Sequence, residues 1–266
     1  MAKEVYQDHL GRTINLDYPP KRIISLCPSI TETLFELGLV DRIVGRTRYC
    51  IHPAGQVENV KTVGGTKKIK ETVIDELSPD LIIAEKEENK KEMIDSLERK
   101  YPVFVTEIKT FEDGLRMIKD LGEITDRSTP SENMVESIEA KFRELTATNG
   151  KKVAYVIWQN PYMVAGTDTY IHSMLEKAGF INAFQNHEGR YPKVTIEDFL
   201  ETAPDVILLA SEPFPFQETH RLEFEKQLPT SRTMLIDGEI CWYGSRMILV
   251  ADDLKQLLTE VDNDAG

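Results

Sequence analysis

The stretch RIISLCPSITETLFELG, Arg22 to Gly38, decides the fold. RIISLC is a short apolar run rich in β-branched residues, the signature of a strand buried on both faces. PSITETLFELG then reads as a helix. Ser29 is placed to cap it, Glu32 follows three positions on, and Gly38 is placed to close it. A strand that feeds directly into a helix N-terminus is the opening unit of an α/β fold.

Working outward, RIVGRT supplies the next strand and a Gly-Gly turn follows at Gly64 and Gly65. A helix ending near Leu77 leads into LIIAE, Leu81 to Glu85. ENKKEMIDSLERK is a helix with a solvated face, VFVTE (Val103 to Glu107) a strand, and FEDGLRMIKDLGEIT a helix. Between Thr129 and Thr148 the pattern becomes one long helix of about five turns. Pro130 lies near its start, Met134, Val135, Ile138, Phe142 and Leu145 form its apolar stripe, and Asn149 and Gly150 end it. Alternation then restarts with KKVAYVIW, a short strand YMVAG and a helix from about Tyr170 to Ala178. The expectation is an α/β fold of two lobes with mainly parallel sheets, joined by one long linker helix. Residues 1–127 form the first lobe, 128–149 the linker and 150–266 the second lobe. The lobes echo each other: LSPDLIIAEKE (Leu77 to Glu87) resembles TAPDVILLASEP (Thr202 to Pro213).

The chain has 266 residues, a net charge of −13 and 41% hydrophobic residues, enough to fill two cores. That charge repels phosphate backbones and anionic lipid, so neither nucleic acid nor membrane insertion is expected. Three scattered cysteines, Cys27, Cys50 and Cys241, form no disulfide framework. The opening residues lack the apolar core of an export signal. A removed leader implies the periplasm or cell surface; a native start implies the cytoplasm.

Parallel sheets bind ligands beyond the C-terminal ends of their strands. The residues following the strands are Tyr49, Cys50 and His52; Thr66 and Lys67; Glu85; Trp158 and Tyr162; Glu212; and Trp242, Tyr243 and Arg246. Aromatic and ionisable groups in those places predict a wide, flat-walled ligand cleft between the lobes. For Cys27, Cys50 and His52 a soft-metal site and plain turn packing stand beside the cleft-lining role. Arg246 has two readings, pairing with an anionic ligand group or with Glu212. No nucleophile elbow, phosphate loop, dinucleotide fingerprint or zinc-protease motif is present, so no enzyme is expected.

RIISLCPSITETLFELG, IVGRTRYCIHP, VGGTKK, ELSPDLIIAEKEEN, the linker helix and VAYVIWQNPYMVAGTDTYIHSMLEKAG together resemble the helical-backbone periplasmic-binding-protein family. These are the solute receptors of ABC importers for vitamin B12, ferric siderophores, haem and metals. The likeness covers roughly Ile14 to Leu258 and is nearest to the B12-binding receptors, through CPSITE and Tyr49. It implies a bound corrinoid, ferric siderophore or metal chelate as ligand, no required cofactor, and an ABC permease as partner. Glu71 lies near the first family docking glutamate, while CWYGSRM, the second region, offers no carboxylate. Thr66 and Glu85 stand where B12 receptors carry tryptophans. A cytosolic metal- or cofactor-handling protein of the same fold, and an enzyme using the cleft, are the alternative functions.

Overall fold

A computed structural model describes residues 2–145 and 150–263. The chain divides into two compact units. The first comprises the chain through Ile108, Glu112–Ser137 and the short segment Tyr243–Arg246. The second comprises Lys109–Phe111, Ile138–Trp242 and the chain from Met247 onward.

The first unit opens with a hairpin, β1 (Ala2–Gln7) and β2 (Thr13–Tyr18). Then follow β3 (Ile23–Ser25), α1 (Pro28–Glu36), β4 (Ile43–Thr47) and β5 (Lys61–Gly64). They lead to α2 (Glu71–Leu77), β6 (Leu81–Glu85), α3 (Lys91–Glu98), β7 (Val103–Thr106) and α4 (Phe111–Ile124). Strands β5, β4, β3, β6 and β7 lie side by side in that order, all parallel. β6 and β7 are buried at every residue, which is why they read as unbroken apolar runs. Ile24, Leu26, Ile82, Ala84, Val103 and Val105 from the strands pack with Ile74 of α2 and Leu97 of α3.

α5 (Ser128–Arg143) carries the boundary between the units, at Ser137 and Ile138. The helix expected to reach Thr148 stops at Arg143. Glu144 and Leu145 donate back only three residues, to the carbonyls of Lys141 and Phe142, which tightens the last turn. Residues 146–148 of that expectation lie outside the described residues.

The second unit contains β8 (Lys152–Trp158), β9 (Tyr162–Val164), α6 (Tyr170–Lys177), β10 (Ile181–Asn182) and β11 (Lys193–Val194). It continues with α7 (Ile196–Thr202), β12 (Val206–Ala210), α8 (Glu218–Gln227), β13 (Arg232–Ile236) and α9 (Met247–Asn263). The sheet order is β11, β9, β8, β12, β13, with β10 also beside β8. β8, β12 and β13 are parallel, as expected; YMVAG folds back as the antiparallel β9. Its core joins Val156, Ile207 and Leu209 to Phe184, Phe199 and Phe224.

The echo between the halves is structural. Asp80 accepts hydrogen bonds from the backbone of Lys21 and Arg22 just before β3, and its own N–H donates to the Arg22 carbonyl. Asp205 accepts from the Lys152 N–H at the start of β8 and donates to the Lys152 carbonyl. Helix α1 ends with Gly38 at φ +74° and a Leu39 to Leu34 hydrogen bond; α6 ends with Gly179 at φ +81° and a Phe180 to Leu175 bond. Pro-Asp thus clasps a central strand in each unit, and a glycine turns the first helix of each.

The β1–β2 hairpin was not anticipated. Its loop covers the free edge of β7: Asp8 accepts from the Val105 N–H at 3.2 Å, and the His9 N–H donates to the Val105 carbonyl at 3.2 Å. An edge strand that would otherwise offer unpaired backbone groups is thereby closed.

Candidate functional site

In the first unit the parallel strands end at one rim. Leu26 and Cys27 follow β3, Arg48 to Cys50 follow β4, Gly65 to Lys67 follow β5, and Glu85 ends β6. The buried side chain of Asn89 ties three of these ends together. Its Oδ1 accepts from the Glu85 N–H at 2.9 Å, and its Nδ2 donates to the carbonyls of Leu26 (3.1 Å) and Thr66 (2.9 Å). Sequence reasoning missed Asn89, because EKEENKKE looks like a solvated charge run.

Glu85 is 2% exposed. Its Oε2 accepts from the N–H groups of Glu87 (2.7 Å) and Glu88 (2.8 Å), shaping the loop after β6. Its Oε1 is buried without a hydrogen-bond partner. Burial pushes the carboxyl up to about 7, with the Glu88 carboxylate adding to the rise and the Glu88 and Ile108 N–H groups and the Lys67 charge opposing it. Lys67, exposed, donates to the Glu87 carbonyl. Thr66 is buried.

Tyr49 is 48% exposed and held from two sides. The Arg48 guanidinium lies 4.9 Å from its ring centroid, and Arg48 Nη2 donates to its hydroxyl at 2.8 Å. The ring packs over Gly65, where a Cβ would come within 3.1 Å of it, so the Gly-Gly turn makes room for the aromatic. Gly64 at φ +131° is equally constrained, since a Cβ there would meet the Lys68 carbonyl at 2.6 Å.

The thiols are inward. Cys27 Sγ lies 3.1 Å from the Tyr243 hydroxyl, and Cys50 Sγ 3.0 Å from Thr31 Oγ1 and 3.2 Å from Thr47 Oγ1. Burial raises Cys27 and Tyr243 well above their ordinary values and raises Cys50 as well. Burial therefore disfavours the thiolate form of both. Among the described residues no three His, Cys, Asp or Glu side chains gather into a metal site. His52 is half-buried beside them in the chain.

One expectation about this rim is corrected and one partner is added. Helix α1 is capped by Cys27, with Pro28 in its first turn and no side-chain cap; Ser29 lies inside the helix, because proline's fixed φ starts it two residues earlier. Arg246 has a carboxylate partner that the sequence reading did not consider, Glu32. Its guanidinium grips Glu32 of α1 through Nε (2.9 Å) and Nη2 (2.8 Å), both side chains about a tenth exposed. The segment carrying it lies tight on α1: Ser245 N–H donates to Thr33 Oγ1, and at Gly244, φ +79°, a Cβ would fall 2.2 Å from that same oxygen.

In the second unit the corresponding rim is aromatic. Trp158, at the end of β8, is 40% exposed and meets Phe214 edge-on at 5.5 Å. Phe214 in turn packs on Phe216 (4.7 Å) and His220 (5.4 Å). Tyr162, half-buried, lies against Phe224 at 4.9 Å and Phe199 at 6.3 Å. Trp242 donates its indole N–H to Glu212, whose side chain packs so closely on Gly238 that a Cβ there would come within 2.3 Å. The structure therefore gathers Cys27, Tyr49, Cys50, Thr66, Lys67, Glu85 and Tyr243 at the first unit's rim, and Trp158, Tyr162, Glu212 and Trp242 at the second's.

A family model described as periplasmic binding protein matches residues 23–233. The vitamin B12-binding protein of Vibrio parahaemolyticus is 26% identical over 196 residues, covering 71% of this chain and 70% of that one. The vitamin B12-binding protein of Photorhabdus laumondii is 26% identical over 249 residues, covering 91% and 89%. An uncharacterized ABC transporter substrate-binding lipoprotein of Bacillus subtilis is 27% identical over 214 residues, covering 76% and 67%. Among solved structures, the periplasmic vitamin B12-binding protein of Vibrio cholerae superposes with a TM-score of 0.75 at 19% identity, covering 92% of this chain and 99% of that chain. The periplasmic heme-binding protein of the same organism gives 0.76 at 20% identity, covering 89% and 98%.

Proposed function

Because the chain belongs to the periplasmic binding protein family, we propose that it is a solute receptor that holds a corrinoid, ferric siderophore or related metal chelate for an ABC importer. The observation that carries this reading is the pair of strand-end rims. One presents Tyr49 stacked by Arg48 above a rigid polar base; the other presents Trp158 and Phe214, a half-exposed aromatic ledge. Broad aromatic faces suit a large, flat chelate, and a preformed rim keeps the ordering cost of binding low. The relatives named for vitamin B12 favour a corrinoid.

Within this reading Tyr49, Trp158, Tyr162, Trp242 and Tyr243 supply apolar contact. His52, Thr66, Lys67, Glu85 and Glu212 set polarity, and Cys50 and Arg246 hold the rim from behind. For the permease, Glu71 at the start of α2 and Glu197 in the first turn of α7 are both exposed and stand before the equivalent strands β6 and β12. Glu197, which the sequence reading passed over in favour of CWYGSRM, is the second docking carboxylate of this proposal.

Titration with cobalamin, ferric siderophores, haem and divalent metals, followed by tryptophan fluorescence and calorimetry, tests the reading. Saturable binding of one chelate class is the expected result. Uniformly flat traces would refute it.

A further inference from the structure

The aromatic ledge of the second unit continues one ring beyond Phe214. His220 lies in the first turn of α8, just past the loop that follows β12, at the ligand-side end of a parallel strand. Its half-buried imidazole meets Phe214 at 5.4 Å and Phe216 at 5.5 Å, and Phe214 meets Trp158 at 5.5 Å. Trp158, Phe214 and His220 are thus consecutive rings of one surface.

The helix fixes the chemistry of that imidazole. His220 closes a capping box on α8: its Nδ1 accepts from the Gln217 N–H at 2.9 Å, while the Gln217 side chain accepts from the His220 N–H. A ring nitrogen that accepts carries a lone pair, so the ring proton sits on Nε2. Nε2 is on the far side of the ring from the cap and, among the described residues, has no hydrogen-bond partner. Other polar groups of the ledge are engaged: the Tyr162 hydroxyl with Gln159 and Gln227, and the Trp242 indole with Glu212. Metal coordination by Nε2 would need a lone pair there. The proton would then move to Nδ1 and face the Gln217 N–H, sacrificing the cap.

We propose that His220 is a specificity-determining contact of this receptor: its Nε2–H donates to a carbonyl or carboxylate oxygen on the edge of a flat chelate whose face lies on Trp158 and Phe214, and it does not ligate the metal. The inference rests on the receptor reading above and adds the polar group that orients the ligand. Stacking alone leaves a flat molecule free to slide and turn. One fixed donor beyond Phe214 sets its register, and it rejects a chelate with no acceptor at that edge, because the covered N–H would be left unbonded.

The test uses the whole protein and three diamagnetic probes with carbonyl or carboxylate oxygens at their edges: cyanocobalamin, the gallium complex of desferrioxamine B, and gallium protoporphyrin. Nitrogen-15 imidazole spectra, with His220 assigned by its absence from His220→Asn, are expected to show the proton on Nε2 and a bare Nδ1 before any probe is added. The opposite tautomer would overturn the proposal. On saturation with the probe that binds, the Nε2 proton is expected to stay attached and move downfield; its loss would mean coordination and overturn the proposal. His220→Asn keeps an acceptor at the place of Nδ1 and has no donor at the place of Nε2, so affinity is expected to fall about tenfold with an unchanged urea midpoint. Unchanged affinity, or a loss matched by a lowered midpoint, would overturn the proposal and leave the receptor reading standing. Flat titrations with all three probes would remove both.

Discussion

The two rims sit on matching strands and are built from opposite materials. β6 and β12 are both fully buried and both follow a Pro-Asp clasp. Aligning LIIAEKE with VILLASE puts Glu85 opposite Ala210 and Glu87 opposite Glu212. In the first unit, position 85 begins a buried polar network: Glu85 shapes its loop, Asn89 ties three strand ends, and Glu32 holds Arg246. In the second unit alanine leaves that slot apolar, and edge-to-face aromatics join the Ser211–Asp237 and Trp242–Glu212 hydrogen bonds in holding the loops. A polar network specifies position through directional bonds and fails when one atom is removed. Aromatic packing is tolerant of small changes and presents more surface to a ligand.

Breaking the first rim should have the largest effect. Glu32→Ala removes the carboxylate that grips Arg246 in a nearly closed site, and a loss of about 3 kcal/mol is expected in urea unfolding. A loss below about 1 kcal/mol would show that the polar rim is not pinned as described.

Glu85→Gln sharpens the contrast through pH. The carboxyl stands near 4.5 when unfolded and at about 7 when folded, so the folded protein binds the extra proton between those values. Stability from this group is therefore full below about 4.5 and falls as pH rises toward 7. Above that, the wild type carries a cost of roughly 3 kcal/mol. Glu85→Gln should be more stable than wild type by about that much at pH 8, and the gap should close by pH 4.5. Unfolding curves at the two pH values check this, and a pH-independent gap would contradict it.

Trp158→Ala should do least to the fold. With 40% of the residue exposed, truncation is expected to cost about 1 kcal/mol or less, while ligand affinity falls by about tenfold or more. Equal damage to stability and binding would place the indole in the core and erase the distinction between the rims.

Much of the fold was legible because buried parallel strands write themselves as apolar runs, as LIIAE, VFVT and VILLA do. The Pro-Asp and glycine signals marked the same clasp and turn in both units. The hairpin went unread although TINLDY alternates, with Ile14 and Leu16 inward. Its two short strands lie outside the α/β alternation that organised the reading. The aromatic candidates were legible from their places after strands. Asn89 was hidden among charges, and Arg246 to Glu32 could not be read at all, since a pair 214 positions apart leaves no local period. Long-range polar pairing depends on which loops meet, and that is settled only after the strands are ordered.

The strip Tyr243–Arg246 completes the first unit from the far side of the chain. In the folded chain Glu32 and Thr33 of α1 take partners from the other end of the sequence, Arg246 and the Ser245 N–H. A cut at residue 127 would therefore remove part of the first unit along with the second. A chain ending before Tyr243 would lack the guanidinium that grips Glu32 in the middle of its first helix.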